Sequence, residues 1–399
     1  TLGITTYYPI IIAWTILYML YSLNLSWGSE AGDFFYTDVL HLGDAANIFN
    51  LGDFIPQVLA ALAVVWLIVG IVLLAGVKKG IERASKIMIP LLLVLFIIFV
   101  IRAVTLEGAS VGLNAFFTPS WDEIFKPSVW IAAYGQIFFS LSLCMGIMIT
   151  YSSYLPRHAE IGSSALITGF ANSSVELLAG FGVFGALGFM ATMKGVSIAD
   201  VATSGPGLIF AVFPEIISQM PFAQFFGVLF FLCIVLAGIT SLISLMEVAV
   251  LAFSDKFKLK RRTATWCVMS FSLILSIPYA TGSGLYILDI VDYFVNNIVL
   301  IFAAILTVLV NGYISKTFKD TQTHLNTYSN VSFGLWWSIC IKVITPFILI
   351  LTFVLNIGDN LAENYGGYAD LFIYTLGWGT VAFYVIGSII LTNLPWHKS

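Results

Sequence analysis

Charged residues are scarce in this sequence of 399 residues. Lysine, arginine, aspartate and glutamate together make up 10% of it, and hydrophobic residues make up 59%, whereas about 25% of a typical soluble domain is charged. Because so few charges cannot cover a water-soluble surface of this size, a soluble globular protein is excluded. The mean hydropathy of +0.98 predicts an integral membrane protein instead.

Cysteine and histidine are scarce as well. All four cysteines lie in apolar segments: Cys144, Cys233, Cys267 and Cys340. All four histidines lie in predicted loops or at the terminus: His41, His158, His324 and His397. The cysteines show neither metal-ligand spacing nor a disulfide framework, and no histidine lies in an apolar segment beside a carboxylate. We therefore expect no enzyme activity, and the basic residues are too scattered for a nucleic-acid surface.

Long apolar runs make up most of the chain. Nine runs carry at most one charge each and approach or exceed the length of about 20 residues that spans a membrane. These runs are Val58–Val77, Ile87–Ile101, Val129–Tyr154, Ser164–Met190, Phe222–Phe253, Thr263–Tyr279, Tyr293–Ile314, Phe333–Ile357 and Leu371–Leu391. The first 23 residues form a tenth. Their length favours helices over the strands of a β-barrel.

Basic and acidic connections alternate between the predicted spans. Thirteen of the 17 basic residues lie in every second connection or at the end of the chain: Lys78, Lys79, Arg83, Lys86, Arg157, Lys256, Lys258, Lys260, Arg261, Arg262, Lys316, Lys319 and Lys398. The connections between these carry mainly acids. Because basic connections remain in the cytoplasm, we predict that the first span runs outward and that the C-terminus is cytoplasmic.

One apolar run contains a dense set of helix-breaking and polar residues. The stretch GQIFFSLSLCMG, Gly135–Gly146, places two glycines, a glutamine and two serines within three helical turns. A lone serine in such a helix usually bonds to a carbonyl of the preceding turn and has no function. The density here predicts an interruption, which is tolerated at membrane depth where it lines a cavity. Two helix ends facing one gap favour a small zwitterion and a cation.

Other polar groups also lie within apolar runs. Asn172 and Glu176 lie on one helix face, and Thr240 and Ser241 follow a pair of small residues, where either function or helix packing explains them. Asp289 and Asp292 lie near a predicted outer helix start, whereas Glu247 and Lys342 lie toward helix ends, where we expect them to reach water. Ionisable groups inside a membrane are candidates for function.

At this point the residues resemble a known family. The stretches GVKKGIERASKIMIP, FKPSVWIAAYGQIFFSLSLCMGIMITYSSY, FANSSVE and LAGITSLISL resemble the neurotransmitter:sodium symporters, and the resemblance covers essentially the whole chain. It implies an all-α polytopic membrane protein with the leucine-transporter-type inverted-repeat fold. The implied function is sodium-coupled import of amino acids by alternating access.

The resemblance also implies a domain organisation. Residues 1–399 form a single transmembrane transporter domain that begins partway along the third family helix, so we expect it to be truncated at its N-terminus, with about ten spans corresponding to family helices 3 to 12. Residues 1–104 are the remainder of the first inverted repeat, 127–314 the second, and 333–391 the last two helices.

The resemblance implies site residues as well. The substrate pocket would be lined by Ile4, Tyr8, Phe139, Ser140, Ser142, Met145, Ser241 and Leu245. The first of two expected Na⁺ sites would use Ser140 and Asn172. The second would use the carbonyl of Ala237 with Thr240 and Ser241. All of these ligands are oxygens, which hard cations prefer, and no organic cofactor is implied.

Further residues match the family's gates. Tyr8 and Phe139 would close the outer gate, where Asp292 is the acid, and Asp255 and Tyr154 would belong to the inner gate. Glu176 stands where chloride-dependent members have serine. It would supply a negative charge itself and take up a proton when the site empties, which suggests proton antiport.

The apolar side chains of Ile4, Met145 and Leu245 favour neutral, hydrophobic amino acids as the small-molecule partner. The lipid bilayer of a bacterial inner membrane is the expected surrounding, and an oligomer remains open. Two alternatives remain. One is a truncated fragment that does not transport, and the other is a channel or scaffold on the same fold. Polar groups that cluster at mid-depth, with apolar stretches above and below, favour an occluded site over a channel.

Overall fold

The computed structural model describes residues 1–395, except for the side chains of Ala46, Pro127 and Ser128. His397 and Lys398 lie outside the described residues. Within residues 1–395 the secondary structure is helical, and the only pairing of extended backbone is a single antiparallel bridge between Phe54 and Thr281.

The principal helices follow one another in chain order: α1 (Ile4–Tyr21), α2 (Pro56–Ala75), α3 (Val77–Val104), α4 (Ala109–Phe117), α5 (Pro127–Ser140), α6 (Ile147–Ser152), α7 (Ile161–Lys194), α8 (Gly205–Ser218), α9 (Ala223–Phe257), α10 (Arg261–Ala280), α11 (Gly284–Ile314), α12 (Phe318–Tyr328), α13 (Leu335–Gly367) and α14 (Asp370–Asn393). Short helical turns lie between them at Ala31–Asp33, Phe34–Val39, Ala45–Asn47, Glu123–Phe125 and Ile198–Val201.

Nine of these helices are long and apolar enough to cross a membrane, counted within residues 1–395: α1, α2, α3, α7, α9, α10, α11, α13 and α14. The expectation of an all-α polytopic membrane protein is confirmed. The remaining predicted span, Val129–Tyr154, is divided between α5 and the much shorter α6, as the polar stretch within it predicted.

The chain packs as two compact units. The α1 unit consists of Leu2–Pro119 and Val175–Tyr286, and the α13 unit consists of Ser120–Ser174 and the chain from Ile287 onward, with Thr1. The boundary therefore falls inside α7 and near the start of α11.

Helix α9 lies at the centre of the α1 unit, where it packs against α1, α2, α3 and α10. It approaches α1 most closely at Gly238, where a Cβ atom would lie 2.8 Å from Cγ1 of Ile12. A glycine is required there because a side chain would separate the two helices. Farther along α1, Trp14 and Tyr18 pack edge-on or tilted against Phe35 and Phe210, which closes an aromatic core.

The α13 unit is built on the contact between α11 and α13, with α5 packing on α13 and α14 on the middle of α11. Gly377 of α14 meets the ring of Phe294, and a Cβ atom there would lie 2.5 Å from it. Many large apolar side chains of α13 and α14 face outward, and only 11% of each spanning window is buried within the structure. Such surfaces suit a lipid environment.

Candidate functional site

The interruption predicted within Gly135–Gly146 is present in the α13 unit. Between the end of α5 and the start of α6, Ser142, Cys144 and Gly146 have φ values of +50°, +60° and +78°. Residues other than glycine rarely adopt this left-handed conformation, so the helix stops here rather than bending. The turn thus places the C-terminus of one short helix and the N-terminus of another beside one gap.

The end of α5 brings two predicted ion ligands together. Nδ2 of Asn172, on α7, donates a hydrogen bond to Oγ of Ser140, the last residue of α5. Both side chains are half-buried. A hydroxyl and an amide supply oxygens of the kind that bind hard cations, so the pair can serve as part of a Na⁺ site at the edge of the break.

The α1 unit brings a second predicted pair together. The side chains of Tyr8 on α1 and Ser241 on α9 are hydrogen-bonded to each other. The close helix approach described above explains this contact, because Ile12 lies one turn from Tyr8 and Gly238 one turn from Ser241. Two hydroxyls held together in this way can bind a carboxylate.

Aliphatic residues accompany this hydroxyl pair. Ile4 lies one turn before Tyr8 on α1, and Leu245 lies one turn after Ser241 on α9; both are buried. The same stretches of helix therefore carry a polar group and an apolar wall, the combination that an amino acid with a hydrophobic side chain requires.

The second predicted ion-ligand set lies on α9. Oγ1 of Thr240 donates to the carbonyl oxygens of Leu236 and Ala237, at 2.9 Å in each case. Ser241 and Ala237 are exposed one turn apart on the helix. A cation bound by the Ala237 carbonyl would therefore compete with the Thr240 hydroxyl for the same oxygen.

The predicted site residues divide between the two units. The α1 unit holds Ile4, Tyr8, Glu176, Ala237, Thr240, Ser241, Leu245 and Asp255. The α13 unit holds Phe139, Ser140, Ser142, Met145, Tyr154, Asn172 and Asp292. Met145 is buried in the turn between α5 and α6, whereas Asp255 and Tyr154, which were expected at an inner gate, are each exposed.

Two acids near the start of α11 are held differently. Asp292, the expected outer-gate acid, accepts a hydrogen bond of 2.8 Å from Nδ2 of Asn296 on the next turn. Asp289 accepts hydrogen bonds from the hydroxyls of Tyr365 and Tyr368, at 3.0 and 2.9 Å. The tyrosines fix the Asp289 carboxylate one turn before Asp292.

The tyrosine contacts of Asp289 could not be found from sequence reasoning. Tyr365 also stacks on Tyr293 of α11, with ring centroids 3.7 Å apart. Oδ1 of Asn360 is buried without a hydrogen-bond partner, while Nδ2 of the same residue donates to the Tyr293 hydroxyl. Nothing in the spacing of these residues indicates that the end of α13 meets the start of α11.

A buried ion pair was also missed. Glu247 of α9 is fully buried and forms a two-pronged salt bridge with Arg261, the first residue of α10, at 2.5 and 2.6 Å. The expectation that Glu247 reaches water at a helix end is wrong, because Arg261 folds back across the turn to meet it. The available signal was an acid inside a span followed closely by a basic cluster.

A cavity of about 170 Å³ adjoins the break within the α13 unit. Its lining is mainly apolar and includes Phe139, Leu143, Ile301 and Leu349. Of the predicted substrate residues, only Phe139 lines it. The cavity therefore shares one residue with the substrate pocket that the resemblance implies.

Known proteins can now be compared with this chain. A family model described as the sodium:neurotransmitter symporter family matches residues 26–397. An uncharacterized sodium-dependent transporter of Methanocaldococcus jannaschii is 38% identical over 371 residues, which cover 93% of this chain and 75% of that protein. The solved structure of MhsT in complex with L-phenylalanine is similar with a TM-score of 0.72 and 29% identity, over 88% of this chain and 78% of that one.

Two animal relatives are more distant and longer. The sodium-dependent dopamine transporter of Bos taurus is 28% identical over 417 residues, covering 96% of this chain. The sodium- and chloride-dependent glycine transporter 2 of Xenopus laevis is 32% identical over 378 residues, covering 91% of this chain. The chain spans 60% and 46% of the lengths of these two relatives.

Proposed function

Because the chain belongs to the sodium:neurotransmitter symporter family, we propose that it imports neutral, hydrophobic amino acids together with sodium, by alternating access. The observation that carries this proposal is the break between α5 and α6, with Ser140 and Asn172 joined at its edge. Interrupted helices at membrane depth supply the backbone and side-chain oxygens that bind a cation and a zwitterion.

We assign two Na⁺ sites. The first uses Ser140 and Asn172, and the second uses the Ala237 carbonyl with Thr240 and Ser241. Sodium in the first site neutralises the carboxylate of the bound amino acid, since opposite charges about 4 Å apart attract far more strongly in a cavity of low dielectric than in water. Each ligand then raises the affinity for the other by the same factor.

The substrate class follows from the residues assigned to the pocket. Tyr8 and Ser241 bind the substrate carboxylate, and Ser142, together with the apolar Ile4, Met145 and Leu245, faces the rest of the molecule. This set contains no carboxylate to bind an amine, which favours an amino acid over a substrate such as dopamine. The L-phenylalanine complex of MhsT supports a hydrophobic amino acid.

Conformational change is assigned to two gates. Tyr8 and Phe139 close the outer gate, with Asp292 as its acid, and Asp255 and Tyr154 belong to the inner gate. The basic connections favour a cytoplasmic C-terminus, and the membrane we propose is a bacterial inner membrane. The second candidate is a membrane protein on the same fold that does not transport.

Glu176 replaces chloride in this proposal. A carboxylate one turn from Asn172 supplies the negative charge that chloride supplies in chloride-dependent relatives, and it takes up a proton when the site is empty. A Glu176→Ser variant should acquire chloride-dependent uptake, and uptake by that variant that is independent of chloride would refute the assignment.

Uptake of radiolabelled amino acids into proteoliposomes tests the proposal. Uptake of leucine, phenylalanine or tryptophan should require sodium outside and should fail when potassium replaces it. Ser140→Ala and Asn172→Ala should raise the sodium concentration needed for half-maximal uptake, whereas Gly135→Ala, on the same helix in open space, should leave it unchanged. Equal uptake in both salts would refute sodium coupling, and absence of any uptake or binding by a folded protein would favour a membrane protein on this fold that does not transport.

A further inference from the structure

A second cavity lies at the basic end of the α13 unit, away from the break. It has a volume of about 240 Å³ and lies among the last turns of α11, the start of α12 and the first turns of α13. Three threonines and an asparagine line it: Thr307, Asn311, Thr317 and Thr321. The volume corresponds to several water molecules at about 30 Å³ each, which is enough for a phosphate group.

One wall of this cavity is an aromatic stack. The rings of Phe318 and Trp337 both line the cavity and lie 4.8 Å apart with an angle of 20° between their planes. Trp337 lies in the first turn of α13, a helix whose surface is largely exposed. Tryptophan is enriched at this depth, where lipid headgroups meet the acyl chains.

A lysine ammonium group lies over one ring of that stack. Nζ of Lys342, on α13, lies 4.1 Å from the ring centroid of Phe318. Among the salt bridges within residues 1–395, none includes Lys342. A lysine inside a spanning helix is costly unless an anion or water compensates its charge. Lys342 reaches the cavity wall through its contact with the Phe318 ring, so an anion bound at that wall would compensate this ammonium.

The surrounding charge is positive. Lys316 and Lys319 are exposed on either side of cavity residues Thr317 and Phe318, and the acid of α12 is Asp320. Three lysines against one aspartate attract an anion to this end of the unit. A basic cluster at the end of a spanning helix is typical of sites for anionic lipid headgroups.

We propose that this cavity binds the phosphate group of an anionic phospholipid. The Lys342 ammonium pairs with the phosphate, Trp337 lies against the glycerol region, and the acyl chains lie along the exposed surface of α13. The hydroxyls of Thr307 and Thr321 donate to carbonyls of their own helices, at 2.8 and 3.0 Å. Helical threonine exchanges between two rotamers, so these donors can turn toward a phosphate oxygen.

Lipid titration of the purified protein tests this proposal. Melting temperature in detergent is measured against dioleoyl phosphatidylglycerol, dioleoyl phosphatidylcholine and inorganic phosphate. Phosphatidylglycerol should raise it in a saturable manner, and the other two probes should not. Lys342→Gln should raise the concentration for half-maximal effect about fivefold, the factor expected for one lysine near an anionic surface.

Two further variants make the test specific. Lys342→Arg keeps the charge and should respond as the wild type does. Lys79→Gln removes an exposed lysine from a different basic connection and should also respond as the wild type does. An unchanged response in Lys342→Gln, or an equal effect of phosphatidylcholine, would overturn the proposal, and an equal effect of inorganic phosphate would overturn the lipid as its source. If Lys342→Gln does not fold, the responses of the wild-type protein to the three probes still test whether it binds an anionic phospholipid.

Discussion

Breaking the salt bridge between Glu247 and Arg261 on one side should destabilise the protein more than breaking an exposed ion pair. Glu247 is fully buried, and Arg261 is 30% exposed. Two short charge-assisted hydrogen bonds join them. In Glu247→Gln, one bond at most remains and the guanidinium loses its counter-charge.

The magnitude follows from that geometry. Removing one partner of a fully buried pair costs about 3–5 kcal/mol. Since water reaches part of the Arg261 side chain, we expect about 2–3 kcal/mol here, after discounting for that exposure. The double variant Glu247→Leu with Arg261→Met should recover most of this loss, because it removes both charges and keeps apolar volume.

A matched control is available in the same unit. Glu82 and Lys86 form a salt bridge of 2.6 Å with side chains 50% and 73% exposed, so Glu82→Gln should change stability little, because water screens the pair. Stability is measured as the unfolding free energy in mixed micelles with increasing denaturing detergent, for all four proteins. If Glu247→Gln loses no more than Glu82→Gln, the reasoning from burial is refuted.

Three further predictions follow from contacts described above. Gly238→Val should destabilise the protein by about 2 kcal/mol or more, because the valine side chain would overlap Ile12. It should also weaken substrate binding, measured by equilibrium dialysis, more than Gly135→Ala does. Equal binding by the two variants would contradict the role of the close approach between α1 and α9. Tyr365→Phe and Tyr368→Phe should each cost about 1–3 kcal/mol of stability and raise the KM for uptake, while Tyr374→Phe, an exposed tyrosine of α14, should change neither. Gly146→Ala should cost about 1–2 kcal/mol because φ is +78° there; an unchanged melting temperature would show that the turn relaxes.

Sequence alone predicted the helical fold because lipid imposes a simple rule. A span must be mainly apolar along its length, so the apolar runs reveal the helices, and the stretch around Ser140 and Ser142 is the densest interruption of that pattern. The bounds were less accurate at polar ends. Ser164–Met190 extends to Ile161–Lys194, since helical hydrogen bonding continues past the apolar segment into water.

Pairs within the candidate site were predictable to different degrees. Tyr8 with Ser241 and Ser140 with Asn172 were grouped through the family resemblance, and each pair is hydrogen-bonded. The partner of Glu247 was missed because a sequence gives no distance between side chains. The contacts of Asp289 were missed for the same reason, as they join residues far apart in the chain.

Helix α6 is short, and that has a consequence for how the protein can be observed. A helix of six residues is unstable by itself. Fixing the backbone of its first turn costs conformational entropy, and so short a helix forms too few hydrogen bonds to offset that cost. Its order therefore depends on whatever fills the gap before it, and ligand binding and local folding become one equilibrium. Amide hydrogen exchange in Ile147–Ser152 should then slow as sodium and substrate are added, so this short segment would report occupancy of the site without any attached label.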